Sequence, residues 1–61
     1  MEELKAKLEK LMADAAECDL IANLASEDDK RRTFRDLAAQ YRVMADAIRK
    51  TIADRARAAD A

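Results

Sequence analysis

The sequence predicts an all-α fold, an antiparallel two-helix hairpin that dimerises into a four-helix bundle. Three observations indicate this fold. The 61 residues include no Gly and no Pro, apolar residues recur at helical spacing in two segments, and strong helix-boundary signals occur only in Leu24–Asp29. We therefore expect a single domain, with helix one over about 2–24, a bend at about 25–26, helix two over about 27–57 and a frayed C-terminus.

Helix one carries an apolar seam with alternating steps of four and three residues, a spacing typical of coiled coils and antiparallel bundles. The seam consists of Leu4, Leu8, Leu11, Ala15, Cys18, Ala22 and Ala25. Its first half presents leucine and its second half presents small residues, so a partner helix can approach closely there. Leu20, Ile21 and Leu24 lie beside the seam and predict a second contact, made with another subunit.

The bend is predicted from helix-start signals. Ser26 is a good N-cap, Asp29 stands where a capping-box carboxylate could reach back, and acids are favoured at the positive end of a helix dipole. The stop signal before them is weaker, because no Gly supplies a left-handed C-cap. The alternative is one continuous helix of about 55 residues in an antiparallel coiled coil.

Helix two has the clearer amphipathic pattern. Its apolar residues fall within an arc of about 120° at roughly 100° per residue, and they are Phe34, Leu37, Ala38, Tyr41, Met44, Ala45, Ile48, Ile52, Ala56 and Ala59. A row of Arg35, Arg42 and Arg49 flanks the arc, where the long stems can cover apolar surface. We expect the central packing to comprise Leu8, Leu11, Cys18, Leu37, Tyr41, Met44 and Ile48.

Self-association is predicted from the small apolar bulk of one copy. A single core of this size rarely contributes more than about 3 to 5 kcal/mol, and one Cys without His offers neither an internal disulfide nor a zinc site. We expect a homo-oligomer, a dimer being favoured, in which a second copy covers the part of helix two that extends beyond helix one, together with Leu20, Ile21, Leu24 and Val43. The predicted interface residues are Leu20, Ile21, Leu24, Leu37, Tyr41, Met44, Ile48 and Ile52. The closest variant is a monomeric helix pair that binds an unidentified protein.

Charge is distributed unevenly along the chain. Three lysines and nine acids give Met1–Asp29 a net charge of −6, whereas nine bases and four acids give Lys30–Ala61 a net charge of +5. This asymmetry favours the two helices lying side by side. It also leaves nucleic-acid binding as an alternative function, through a basic face of Lys30, Arg31, Arg32, Arg35, Arg42 and Arg49. Against it, three acids lie in the same turns and the whole chain carries −1.

Catalytic and ligand-binding patterns are missing from the sequence. Without His, most acid–base catalysis at neutral pH and di-iron Glu-x-x-His sites are excluded. The chain also has no Gly-rich loop that could hold a phosphate. Cys18 is interpreted as a small seam residue, because activation of a thiol needs basic neighbours and Glu17 and Asp19 are acidic. We therefore expect no enzyme, no cofactor and no catalytic or metal-binding residues. With neither a bilayer-spanning apolar run nor a signal peptide, we expect a cytoplasmic protein without membrane contact.

A resemblance to known sequences is carried by Ala16-Glu17-Cys18, Ala22, Ala25, Arg32, Leu37-Ala38, Tyr41-Arg42 and Met44-Ala45. These residues resemble a group of short uncharacterised bacterial proteins with an Ala-Glu-Cys segment and a Leu-Ala-x-x-Tyr-x-x-Met-Ala-like second helix. The usual bend of that group includes Asp-Pro, where this chain has Glu27-Asp28. The resemblance implies a bacterial helical hairpin of unknown function, with no catalytic residue to carry over.

Overall fold

A computed structural model describes residues 2–60 as two packed α-helices. Helix α1 spans Glu2–Leu24 and helix α2 spans Asp28–Asp60. The connection is only three residues long, so the helices fold back on one another, and they pack together along much of α1. The prediction of an all-helical hairpin is confirmed. The alternative of one continuous helix is wrong for this structure, because helical geometry is interrupted at residues 25–27.

The start of α2 lies one residue later than predicted. The N–H of Arg31 donates to the Glu27 carbonyl at 3.0 Å, which puts Glu27 rather than Ser26 at the N-cap position. The carboxylate of Asp29 accepts the N–H of Lys30 at 2.8 Å, so it is used inside the first turn and does not complete a capping box with Ser26. Acids still occupy the positive end of the helix, where the dipole favours them.

The end of α2 also differs from the prediction. The structure is helical to Asp60, whereas the sequence predicted regular helix only to about 57. Alanine and arginine are strong helix formers, and Arg57 forms an ion pair with Asp54 on the preceding turn. At about 1.5 Å per residue, α2 is about 15 Å longer than α1, in keeping with the 52 Å length of the molecule. The last eight residues of α2 are therefore exposed and have no helix beside them.

The contact between the helices is built mainly from small side chains. The buried residues are Leu11, Ala15, Cys18, Ala22, Ala38 and Ala45. Among residues 2–60, Leu11 is the one large side chain in this set. Because five of the six are Ala or Cys, the two backbones can approach closely along the middle of the hairpin.

Contacts near the loop and in the middle of the hairpin show how the two helices meet. The Arg31 guanidinium donates to the Ala25 carbonyl at 3.1 Å, and farther from the loop Ala15 of α1 and Ala45 of α2 border the same cleft. Small residues of the two helices therefore lie near one another in the middle of the hairpin.

Burial of the large apolar residues is less complete than predicted. Leu8, Leu37, Tyr41 and Ile48 are only half-buried, and Met44 is 45% exposed. The single hairpin does not bury Met44, and its place in the central packing of the self-associated protein stays a prediction. Each helix has a single neighbour, which covers a strip of surface narrower than the apolar arc of α2.

Candidate functional site

One side of the hairpin is closed by polar contacts between the helices. Arg42 forms an ion pair with Asp19, and the guanidinium of Arg49 donates to the sulfur of Met12 at 3.0 Å. Arg49 also forms an ion pair with Asp46 at 2.6 Å. We call these five residues the ionic side. Between them lies a shallow cleft of about 330 Å³, which is bordered by the arginine stems.

The ion pair between Asp19 and Arg42 is expected to contribute little to stability. Both side chains are about half exposed, and exposed pairs are typically worth about 0 to 1 kcal/mol. A double-mutant cycle with Asp19→Asn and Arg42→Gln should give a coupling free energy of about 0.5 kcal/mol, which falls in high salt. Urea unfolding at low and high salt measures this coupling.

The matched control for that cycle is the ion pair of Asp54 and Arg57, which lies on the part of α2 beyond α1 and joins no second helix. Its cycle should give no more than about 0.2 to 0.5 kcal/mol, the usual value for a pair within one helix. A salt-independent coupling above about 2 kcal/mol at Asp19 and Arg42 would instead indicate that this contact is a main element of the fold.

The opposite side of the hairpin is apolar. Successive residues of a helix are rotated by about 100°. Leu37 and Met44 therefore lie on one flank of the buried Ala38 and Ala45, and Arg42 lies on the opposite flank. Leu37 and Met44 combine with Tyr41 and Ile48 in a second seam on α2, whose residues are separated by steps of four, three and four. Ile21 of α1 lies on the same side by the same rotation. We call these five residues the apolar face.

The apolar face has a polar border on α1. Asp14 occupies the same flank as Ile21, two turns closer to the N-terminus, and it is half-buried. Its carboxylate lies 3.6 Å from the ammonium nitrogen of Lys10. The chemistry available on this side is therefore that of a packing surface, with apolar side chains on α2 and a charged rim on α1.

The structure separates the predicted interface residues into two groups. Ile21, Leu37, Tyr41, Met44 and Ile48 form the apolar face, and Ile52 continues the seam that faces α1. Leu20 is 58% exposed and Leu24 is 77% exposed, because both lie on the outer surface of α1, turned away from α2. A single flat contact cannot cover both groups.

The predicted basic face is partly used inside the hairpin. Arg42 and Arg49 form the ion pairs of the ionic side, and Arg31 forms an ion pair with Asp28 at 3.2 Å. Lys30, Arg32 and Arg35 are not buried and form no ion pair among residues 2–60. Arg32 and Arg35 border a shallow cleft that also contains Asp28 and Asp36, so the geometry adds no support for the nucleic-acid alternative.

Cys18 is buried between the helices. Burial raises the pKa of the thiol above its ordinary value, and the negative charges of Glu17, Asp14 and Asp19 raise it further. Both effects favour the neutral thiol, which is the weakly reactive form. In the part of the chain that the structure describes, no three Cys, Asp or Glu side chains stand close enough to hold a metal ion.

Sequence reasoning missed the contacts that join Asp19 to Arg42 and Met12 to Arg49. A charge count favours pairing of the two helices, but it does not say which residues lie at the same level. That register depends on the length of the loop and on where α2 begins. Once the loop is placed at residues 25–27, the position of Arg42 beside α1 is the signal that could have identified these partners.

Comparison with known proteins gave no relative: no protein-family model, curated protein or solved structure matches this chain. The resemblance to bacterial helical hairpins therefore stays a prediction. Neither α1 nor α2 contains a stretch that is both long and apolar enough to cross a bilayer.

Proposed function

We propose that this chain is a small self-associating interaction or scaffold module, which forms a homodimeric four-helix bundle through the apolar face. The apolar face of each copy packs on that of the other and adds apolar contacts to the small core of a single hairpin. In this proposal the protein acts by assembly and not by catalysis, and it works in the cytoplasm, where a buried unpaired thiol such as Cys18 stays reduced.

The observation that carries this proposal is the surface area of the single copy. It exposes 4720 Å², whereas a compact monomer of 6.8 kDa is expected to expose roughly 4,000 Å². The excess of about 700 Å² is close to the roughly 800 Å² that each partner buries in a standard protein interface. Packing of a second copy on the apolar face is the way in which we propose that exposed area is removed from water.

The distribution of side chains supports one preferred surface for this contact. The ionic side is closed by pairs between the helices, whereas the apolar face presents a regular seam of large side chains that are half-buried or exposed. Seams with steps of three and four residues are the usual contact surfaces of helical bundles. In a two-fold symmetric dimer the same surface of both copies meets, so each apolar seam would pack on its own copy.

Light scattering after size-exclusion chromatography over a range of concentrations tests the proposal. The wild-type chain should have twice its 6.8 kDa mass. Met44→Asp should raise the dimer dissociation constant about 100-fold, because it places an unpaired charge in the interface. Val43→Asp is the matched control, since Val43 is the adjacent residue and 69% exposed, and it should leave the mass unchanged.

Two results would overturn the proposal. One is a wild-type chain that stays monomeric at every concentration and melts cooperatively. The other is equal association of the Met44→Asp and Val43→Asp variants, which would show that the contact uses a different surface. A monomeric wild-type chain that gains helicity only when another protein is added would favour the variant in which the apolar face binds an unidentified partner.

A further inference from the structure

We infer that the second copy packs antiparallel to the first, with α2 against α2 of its partner and the two loops at opposite ends of the bundle. This inference rests on the proposed self-association and adds its geometry. The competing arrangement places both loops at the same end, so that α2 of each copy lies against α1 of the other. Both arrangements use the apolar face. They differ in whether the loop of one hairpin lies beside the loop or beside the open end of the other.

The make-up of the apolar face favours the antiparallel arrangement. Four of its five residues lie on α2 and only Ile21 lies on α1, where Asp14 and Lys10 form a charged rim. With the loops together, the α2 seam of each copy would lie against that charged rim. The antiparallel arrangement sets the α2 seam of one copy against the α2 seam of the other.

The position of the seam on α2 favours the same arrangement. The apolar face runs from Leu37 to Ile48, so its centre lies close to the middle of Asp28–Asp60. A two-fold axis that passes through this centre, perpendicular to α2, places the seam of one copy against the same seam of the other copy over its full length. It also brings the exposed last turns of α2, which extend beyond α1, alongside the first turns of the partner's α2. With the loops together, these last turns would stay without a neighbour.

Electrostatics favours the competing arrangement, because it sets the acidic α1 beside the basic α2 of the other copy. On α2, Arg32, Arg35, Arg42 and Arg49 lie on the ionic side or near it, whereas Lys30 and Arg55 lie beyond the two ends of the apolar face. All six are exposed and screened by salt. Packing of the apolar seams therefore decides the orientation.

Distances between spin labels distinguish the two orientations. A label on Ser26→Cys, in a Cys18→Ala background, marks the exposed loop. In the antiparallel dimer the two loop labels should lie about 50 Å apart, given about 1.5 Å per residue from the centre of α2. With the loops at the same end they should lie about 20 Å apart, which is the width of a bundle. Double electron–electron resonance measures distances between spin labels in this range.

A second labelled site gives an independent check. Mixing copies labelled at Ser26→Cys with copies labelled at Ala58→Cys should give a distance of about 20 Å in the antiparallel dimer, because the end of α2 then lies near the partner's loop. Circular dichroism and light scattering of each labelled variant verify folding and dimerisation. A dimer with a short distance between loop labels would overturn the inferred orientation and leave the proposed self-association intact. A monomer would overturn both.

Discussion

Replacing Ala38 by aspartate is expected to unfold the hairpin. Ala38 is 0% exposed and belongs to the small residues buried between the two helices. A carboxylate there would lose its hydration without gaining a cation, which costs several kcal/mol. A core of this size supplies only about 3 to 5 kcal/mol. Far-UV circular dichroism should therefore show loss of most helical signal, and dimerisation should be lost with it.

The control for this change is Ala39→Asp, one residue along the same helix. Ala39 is exposed, so aspartate there loses only helix propensity, about 0.5 to 0.7 kcal/mol. The Ala39→Asp chain should stay folded at the same concentration. If both variants melted at the same temperature, the close contact of α1 and α2 at Ala38 would be disproved.

Leu11→Ala is expected to have the second largest effect. Leu11 is 4% exposed and is the one large side chain among the buried residues of 2–60, so the side chains buried with it are too small to fill the space that it would vacate. Removal of a buried leucine typically costs about 2 to 5 kcal/mol, and the cost is highest where the surroundings cannot collapse. The midpoint of urea unfolding, measured at a fixed chain concentration because assembly adds to stability, should fall by the corresponding amount.

Leu20→Ala tests whether burial is the cause. It removes the same atoms from a residue of α1 that is 58% exposed, and the expected loss is below about 0.5 kcal/mol. Similar losses for the two variants would mean either that Leu11 is exposed in solution or that the surface around Leu20 is buried by a partner. Repeating the measurement on the Met44→Asp background separates these two causes.

The helical elements could be predicted from the sequence because their signals are local. The lack of Gly and Pro and the seam from Leu4 to Ala25 predict α1, and the helix-start signals that follow Leu24 predict its end there. The predicted start of α2 was one residue too early, because Ser26, Glu27 and Asp28 all favour a helix start. Local signals of similar strength do not select among adjacent positions.

The neighbours of each face could not be predicted in the same way. Tyr41 and Ile48 belong both to the seam that faces α1 and to the apolar face, so the amphipathic arc of α2 is wider than one neighbour can cover. Periodicity shows that an arc is apolar, but it does not show how many helices share it. For the same reason Met44 was predicted to be central, and the separation of Leu20 and Leu24 from the apolar face became visible only with the register of the hairpin.

The turn itself has a consequence for how this chain can change over evolutionary time. Within residues 2–60, every residue has a negative φ angle, so the turn at residues 25–27 needs no glycine and holds no left-handed backbone. Many residue types can therefore occupy these three positions without strain. Among homologous chains the turn should vary freely in sequence, whereas Ala22 and Ala38, which have no room for a larger side chain, should stay small.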